Sequence, residues 1–304
     1  MTDFLVIGES IADIVRAPGQ ADVPHPGGSP ANVAYGLARL GRDTALLTQL
    51  GDDAMGALIS AHLRSAGVSL LSDGQQDVRT STALVTLDAR GQAGYTFDID
   101  WTLRPTPLPF TPCHVHLGSI AAVKDPGSET VAALAGSLRG RATVSYDPNV
   151  RPALMGDRPE AVRRVERCVA LSDLVKASDE DLDWLYPGVP VPDVAARWLA
   201  LGPELVLVTR GGAGATGFTS SDTVTAAAVR TTVVDTVGAG DSFMSASLDA
   251  LATLDLLGAP ARPNLAALTA DTVHGILTHA GRAAALTVSR AGANPPDREE
   301  LQRA

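Results

Sequence analysis

The residues of this chain best suited to chemistry lie between Asp235 and Phe243, in the order Asp-Thr-Val-Gly-Ala-Gly-Asp-Ser-Phe. Thr232-Val233-Val234 reads as a β-like run before them. Ser242 to Leu257 reads as a helix with Phe243, Ala246, Leu248 and Leu251 on a core face. Gly238, Ala239 and Gly240 therefore sit where a loop enters a helix. Small residues let a ligand approach the backbone there, and the unpaired N–H groups with the helix dipole form an anion pocket. Asp241 falls in the first turn, at the mouth of that pocket. A carboxylate suits the positive end of a helix, where it can orient a hydroxyl and accept its proton. Transfer of a phosphoryl group to a hydroxyl is compatible with this pairing, because positioning dominates such reactions. Taken alone, Gly-Ala-Gly-Asp equally describes a tight turn whose aspartate steadies a helix end.

A second constellation is Gly27-Gly28-Ser29-Pro30-Ala31-Asn32-Val33-Ala34. Two glycines precede a helix start, and Ser29 or Pro30 suits the capping region. Asn32 can offer both a donor and an acceptor to a polyhydroxy ligand, or be a solvated residue of a capped helix. Upstream, Gly8-Glu9-Ser10-Ile11-Ala12-Asp13 leaves the first strand at its carboxyl end, where open α/β sheets bind ligands. Asp13 there can accept hydrogen bonds from sugar hydroxyls, or be an ordinary loop aspartate. Tyr95, Phe97 and Trp101 either cover a bound sugar or pack a hairpin. His114 and His116 share a strand without a third metal partner in view, so hydrogen-bonded or solvated histidines are expected. Trp184 and Trp198 read as core residues.

These segments need a scaffold, and the chain alternates short apolar runs with longer helical stretches. That alternation marks a mostly parallel sheet covered on both faces. Strands are expected at Phe4 to Ile7, Ala45 to Gln49, Val115 to Gly118, Thr143 to Tyr146, Leu174 to Lys176 and Leu205 to Thr209. Helices run through Ala31, Ala34, Tyr35, Ala38 and Leu40, and through Met55, Leu58, Ile59 and Leu63, with Gly41 and Gly67 just past their ends. Thr82 to Leu87 and Tyr95 to Ile99 flank the turn sequence Asp88-Ala89-Arg90-Gly91 and read as an antiparallel hairpin. The expected architecture is a single α/β domain over residues 1–304. A small β-sheet lid is inserted from about residues 12–24 and 79–100, and Trp101 to Pro109 forms an extended connector. Such a sheet has edges and an apolar face, so a homodimer through the lid is an expectation.

Composition narrows the function classes. Hydrophobic residues are 45% and charged residues 19% of the 304, enough for a large buried core. The net charge of −10 and the lack of a basic run give nucleic-acid binding no support. An acidic protein still binds nucleotides through local N–H groups and a metal ion. Cys113 and Cys168 have no metal-ligand spacing and read as inert thiols in a reducing compartment. The N-terminus reads as a strand, not a signal peptide, and every apolar stretch is broken by charge or proline, so a cytoplasmic protein without a membrane span is expected. No Walker-type glycine loop is present, and the first strand is followed by Gly8 alone, not the Gly-x-Gly-x-x-Gly of dinucleotide oxidoreductases.

Together, Gly27 to Gly41 and Asp235 to Phe243 resemble the two signatures of the ribokinase-like (PfkB-type) carbohydrate kinases, in the same order and at a similar separation. Gly28 to Asn32, Tyr146-Asp147-Pro148-Asn149-Val150-Arg151-Pro152 and Lys176-Ala177-Ser178-Asp179-Glu180-Asp181 look most like bacterial fructokinases. The resemblance implies a ribokinase-like three-layer α/β/α fold with a mostly parallel central sheet and a small β-sheet lid. It implies transfer of the ATP γ-phosphoryl group to a primary hydroxyl of a ketose, with fructose as first choice. Asp241 would be the base, and the N–H groups of Gly238, Ala239 and Gly240 would stabilise the transferring group. Asp13, Gly28, Asn32, Phe97 and Arg151 would meet the sugar. Lys176, Thr209, Gly211, Gly214 and Gly240 fall on the ATP side. Mg²⁺ would bridge phosphates. Many relatives carry Asn-x-x-Glu at Ser178 to Asp181, so Asp181 would reach a magnesium ion only through water. Asp235, facing the segment Ser289 to Pro295, is the candidate for a monovalent cation such as K⁺. 2-Keto-3-deoxygluconate kinase and ribokinase activities, and a sugar or nucleotide binder without turnover, are the alternatives.

Overall fold

Every residue of Phe4–Ile7 is buried, the pattern of a strand covered on both faces, and the same holds for four more strands of the central sheet. The structure, a computed structural model, describes residues 3–16, 22–73, 75, 77–87 and 93–304. The expected turn Asp88-Ala89-Arg90-Gly91 lies outside the described residues, as does the stretch 17–21 of the lid segment.

Among the described residues the strands are β1 (Phe4–Ile7), β2 (Ile11–Arg16), β3 (Val23–Gly27), β4 (Thr44–Leu47), β5 (Ser69–Leu71), β6 (Ser81–Leu87) and β7 (Ala93–Asp98). They continue with β8 (His114–Gly118), β9 (Thr143–Asp147), β10 (Leu174–Ser178), β11 (Leu205–Thr209), β12 (Ala215–Phe218) and β13 (Thr223–Ala226). The helices are α1 (Ser29–Arg39), α2 (Ala54–Ser65), α3 (Gly127–Leu138), α4 (Pro152–Met155), α5 (Arg158–Leu171) and α6 (Asp179–Leu185). After them come α7 (Val191–Leu199), α8 (Ala239–Thr253), α9 (Arg262–Ala266), α10 (Ala270–Val288) and α11 (Arg298–Arg303).

The main sheet has nine strands in the order β13-β12-β11-β10-β9-β8-β1-β4-β5, all running one way except β12, which pairs antiparallel with both β11 and β13. One apolar core joins one face of this sheet to α3, α5, α6 and α7. A second joins the other face to α1, α2, α8, α10 and α11. The result is the ribokinase-like three-layer α/β/α fold. The smaller sheet has the order β3-β2-β6-β7 and is antiparallel except for the β2–β6 pair. It grows out of the carboxyl edge of the main sheet: β2 follows β1 after Gly8-Glu9-Ser10, and β3 runs straight into α1.

All six central strands expected from the sequence are present, and β5, β12 and β13 extend the sheet beyond them. Three sequence expectations are corrected. Thr232 to Val234 form no strand. Val233 is 62% and Val234 61% exposed, because this stretch lies against no sheet edge and is tied instead by the Val234 N–H to the Val288 carbonyl. Trp101 does not belong to the lid. It is buried in the main core, its indole N–H donating to the Ala121 carbonyl at 2.9 Å. Trp198 is a core residue, whereas Trp184 is only partly buried, with the Arg158 guanidinium 5.3 Å from its ring. His114 and His116 are buried and hydrogen-bonded to Thr143 and Ser145, and burial pushes both down to about 3, which keeps them neutral. Burial also pushes the Cys113 and Cys168 thiols up, to about 11 and about 12, so neither is reactive. No helix among the described residues is long and apolar enough to cross a membrane.

Candidate active site

Helix α8 begins three residues earlier than its hydrophobic pattern suggests, with Gly238 as the residue before it. Gly238 takes the left-handed conformation, φ 76°, and a Cβ there would stand 2.7 Å from the Cβ of Ala293. Only glycine makes this turn cheaply while the loop lies against the 289–295 segment. The Ser242 N–H bonds the Gly238 carbonyl at 2.8 Å; the Ala239 N–H, expected to face the transferring group, instead bonds the Thr236 carbonyl at 3.3 Å, which leaves the N–H groups of Gly238, Gly240 and Asp241 for a ligand. Asp235 joins the two loops: its carboxylate accepts from Val237 N–H at 3.0 Å and Gly292 N–H at 2.8 Å.

Helix α1 meets α8 at that point. Gly28 precedes it with φ 99°, and a Cβ there would come within 2.6 Å of the Glu9 carbonyl oxygen. The sequence suggested a capping role for Ser29 or Pro30, but α1 has no side-chain cap. The Ser29 hydroxyl donates to Asp241 Oδ1 at 2.6 Å, and Asn32 Nδ2 donates to Asp241 Oδ2 at 2.9 Å. Asn32 is thus no solvated surface residue; it binds the candidate base directly.

Beneath the glycine loop lies Lys176. Its Nζ is 3.0 Å from Asp147 Oδ2 on the neighbouring strand, and a Cβ on Gly240 would stand 2.9 Å from that nitrogen. Burial alone would favour the neutral amine, but Asp147, Asp181 and Asp241 outweigh it and raise the Lys176 pKa, keeping it charged. Burial pushes Asp147 up to about 6, against the pull of Lys176. Asp181 is a structural residue in this geometry. One oxygen accepts the Val150 N–H and the other the Ser178 N–H, both at 2.8 Å, in a capping box that starts α6.

Asp13 stands across the mouth of the site. In the cross-strand register His25, Asp13, Ala83 and Phe97 share a row, so Asp13 and Phe97 lie on one face of the small sheet. Burial raises Asp13 to about 6, opposed by the charges of Arg151 and His25. Arg151 donates to Asn149 Oδ1 at 2.9 Å and to the Asn149 and Val150 carbonyls. Thr209, Gly211 and Gly214 lie farther along the same carboxyl edge, after β11, where the Arg210 N–H closes a turn onto the Gly214 carbonyl at 2.8 Å.

Two acidic neighbours were not singled out from the sequence. Glu9 is 3% exposed, accepts the Ala121 N–H at 3.1 Å, and is held at about 7 by burial. Asp147 partners Lys176. Both stood inside quoted motifs, but only their depth in the fold marks them out.

A family model described as pfkB family carbohydrate kinase matches residues 1–300. The chain belongs to this family. The pfkB chain is 38% identical over 265 residues to a fructokinase of Rhizobium leguminosarum bv. trifolii, covering 84% of this chain and 81% of that one. Its fold matches the fructokinase of Xylella fastidiosa with bound ATP, with a TM-score of 0.84, 25% identity, and coverage of 100% of this chain and 98% of the other. It also matches the fructokinase of Vibrio cholerae O395 bound to fructose, ADP and calcium ion, with a TM-score of 0.81, 26% identity, and coverage of 99% and 98%. As a pfkB carbohydrate kinase the chain has its base candidate, its anion loop and its buried cation at a single point where α1, α8 and β10 meet.

Proposed function

We propose that this enzyme is a fructokinase, transferring the γ-phosphoryl group of ATP to the C6 hydroxyl of fructose. The observation that carries the reading is the Asp241 carboxylate, held by two α1 side chains at the mouth of a helix start with free N–H groups and Lys176 beneath. Fructose lies between α1 and the small sheet, bound by Asp13, Gly28 and Asn32, with Phe97 over it and Arg151 at the rim. ATP lies along the carboxyl edge from Thr209, Gly211 and Gly214 to the glycine loop, and Lys176 faces its phosphates. Asp241 aligns the hydroxyl. As the sugar oxygen bonds phosphorus, its O–H bond breaks and the proton passes to Asp241. The bond to the bridging oxygen breaks, and its electron pair leaves on ADP. The N–H groups of the loop stabilise charge on the phosphoryl oxygens, and the small sheet acts as a lid that keeps water out.

No group of three His, Cys, Asp or Glu side chains placed to hold a metal ion is found among the described residues. A Mg²⁺ ion held by nucleotide phosphates and water needs none, and would neutralise phosphate charge. A monovalent cation would draw on backbone carbonyls near Asp235, since the Asp235 carboxylate already joins the two loops.

A neutral ketose fits better than a sugar acid. Glu9, Asp13, Asp147 and Asp241 crowd the site, and the lid cation Arg79 is paired with Asp98 at 2.6 Å. A coupled ADP-release assay across fructose, ribose, 2-keto-3-deoxygluconate and nucleosides should give the highest kcat/KM with fructose. Asp241→Asn should lower kcat by roughly 10²–10⁴-fold with little change in sugar affinity; a near-normal kcat would sink the assignment.

A further inference from the structure

We propose that Ser29 is a positioning residue of the phosphoryl transfer, its hydroxyl fixing the Asp241 carboxylate so that Oδ2 alone faces the sugar. This rests on the reading of Asp241 as the base.

The cap position of α1 is Gly28, which has no side chain, so Ser29 stands at the first helical position with its hydroxyl uncommitted to its own helix. That hydroxyl crosses to Asp241, 212 residues away in sequence. The bond is short, 2.6 Å, as expected when the acceptor is ionised. The donor comes from a stiff point. Ser29 is 6% exposed, Gly28 before it has no room for a side chain beside the Glu9 carbonyl, and Pro30 after it fixes the backbone.

The two donors on Asp241 differ in what a substrate does to them. Asn32 holds Oδ2 from the side where sugar is expected, so a sugar hydroxyl must share or replace that amide bond. Ser29, buried where Asn32 is half-buried, holds Oδ1 within the α1–α8 contact, on the side the proposal keeps from the incoming hydroxyl. When Asn32 turns to the sugar, a carboxylate without Ser29 is free to rotate about two side-chain bonds. With Ser29 in place its plane is kept, and the proton leaving the sugar oxygen passes to Oδ2, because Oδ1 is already engaged. Ser29 touches neither substrate; it acts through Asp241.

The test is a double-mutant cycle in the full-length enzyme, with radiolabelled ATP so that slow variants can be measured. Ser29→Ala should lower kcat by about 5- to 30-fold and leave both KM values within about twofold. Ser29→Thr, which restores a hydroxyl, should recover most of the loss. In an Asp241→Asn background, Ser29→Ala should change kcat by less than about twofold, because the groups act as one unit. An unchanged kcat in Ser29→Ala overturns the proposal. So does a loss that recurs at full size in the Asp241→Asn background, which would mark a general structural role. If Asp241→Asn itself turns over normally, the reading of the base fails instead, and this proposal with it.

Discussion

Lys176 and Asp147 face each other at 3.0 Å with side-chain exposures of 5% and 1%, so each is the other's main compensation for lost water. Removing one charge from such a pair costs more than the pair itself contributes. Lys176→Met should therefore destabilise the fold by about 3–5 kcal/mol at pH 8. The sign of its pH dependence follows from Asp147. Burial already raises this carboxyl to about 6, and loss of the cation raises it further. A group whose folded pKa is raised contributes most below its unfolded value and loses that contribution as pH rises through the folded one. At pH 5.5 the variant's Asp147 is protonated and the penalty should shrink by at least about 1 kcal/mol. Urea unfolding of both proteins at pH 5.5 and pH 8 measures this, and an equal penalty at both would rule it out. At this scale spacing singled out Asp241, Asn32 and Gly28 as candidates, because glycine pairs and a first-turn carboxylate are local signals, while their roles came from the resemblance to carbohydrate kinases. It gave Ser29 the wrong partner and passed over Glu9 and Asp147. Whether a hydroxyl caps its own helix or reaches another, and how deep a carboxylate lies, are decided by tertiary packing.

Helices α1 and α8 run side by side and are fastened at both ends. At the N-terminal ends Ser29 and Asn32 hold Asp241; midway, Gly36 packs against Ser245. At the other end Asp249 of α8 binds Arg42 and Arg298 at 2.6 Å each and His279 at 3.2 Å, while Arg298 also donates to the Leu40 carbonyl. Burial would push Asp249 up, but hydrogen bonds from His279, Arg298 and Arg42 outweigh it and hold it at about 2. Asp249→Asn should cost about 3 kcal/mol, the low end for a broken buried pair because the arginines reach solvent. A depressed carboxyl contributes above its unfolded pKa and loses that contribution as pH falls through the folded one. The gap to the unaltered protein should thus stay level from pH 8 to about pH 4 and narrow only below it. Denaturant midpoints across that range decide the point; a gap that already narrows between pH 8 and 6 would rule this account out. The elements themselves were largely legible, since buried apolar runs and three-and-four spacing are strong signals over a whole strand or helix. The failures were short segments. β12 and β13 are four residues each, and Thr232-Val233-Val234 has strand-like residues but no edge to pair with.

At the scale of the whole molecule, the site is the gap between two sheets that differ in what they can hold fixed. The main sheet is clamped between two helix layers and presents the ends of β1, β8, β9 and β10 as a rigid floor. The small sheet stands on that floor through Gly8-Glu9-Ser10 and Gly27-Gly28, and its β2–β6 pairing unites segments far apart in sequence. Asp13 and Phe97 share one of its faces, with Ala83 between them, so that face carries one carboxylate and one aromatic ring. If that face closes over fructose, the ring contributes apolar contact and shields the reacting oxygen from water. Phe97→Ala should raise the fructose KM about 10-fold, the effect of losing roughly 1.4 kcal/mol of contact. The ATP KM, which the proposal ties to the residues near β11 farther along the carboxyl edge, should move less than about twofold, a margin well below that contact energy. Water entering the loosened site should also raise ADP release in the absence of sugar, relative to turnover with it. Steady-state kinetics with and without fructose provide both readings. A variant whose fructose KM is unchanged would mean that Phe97 packs only its own hairpin, and that Asp13, Asn32 and Gly28 bind the sugar without it.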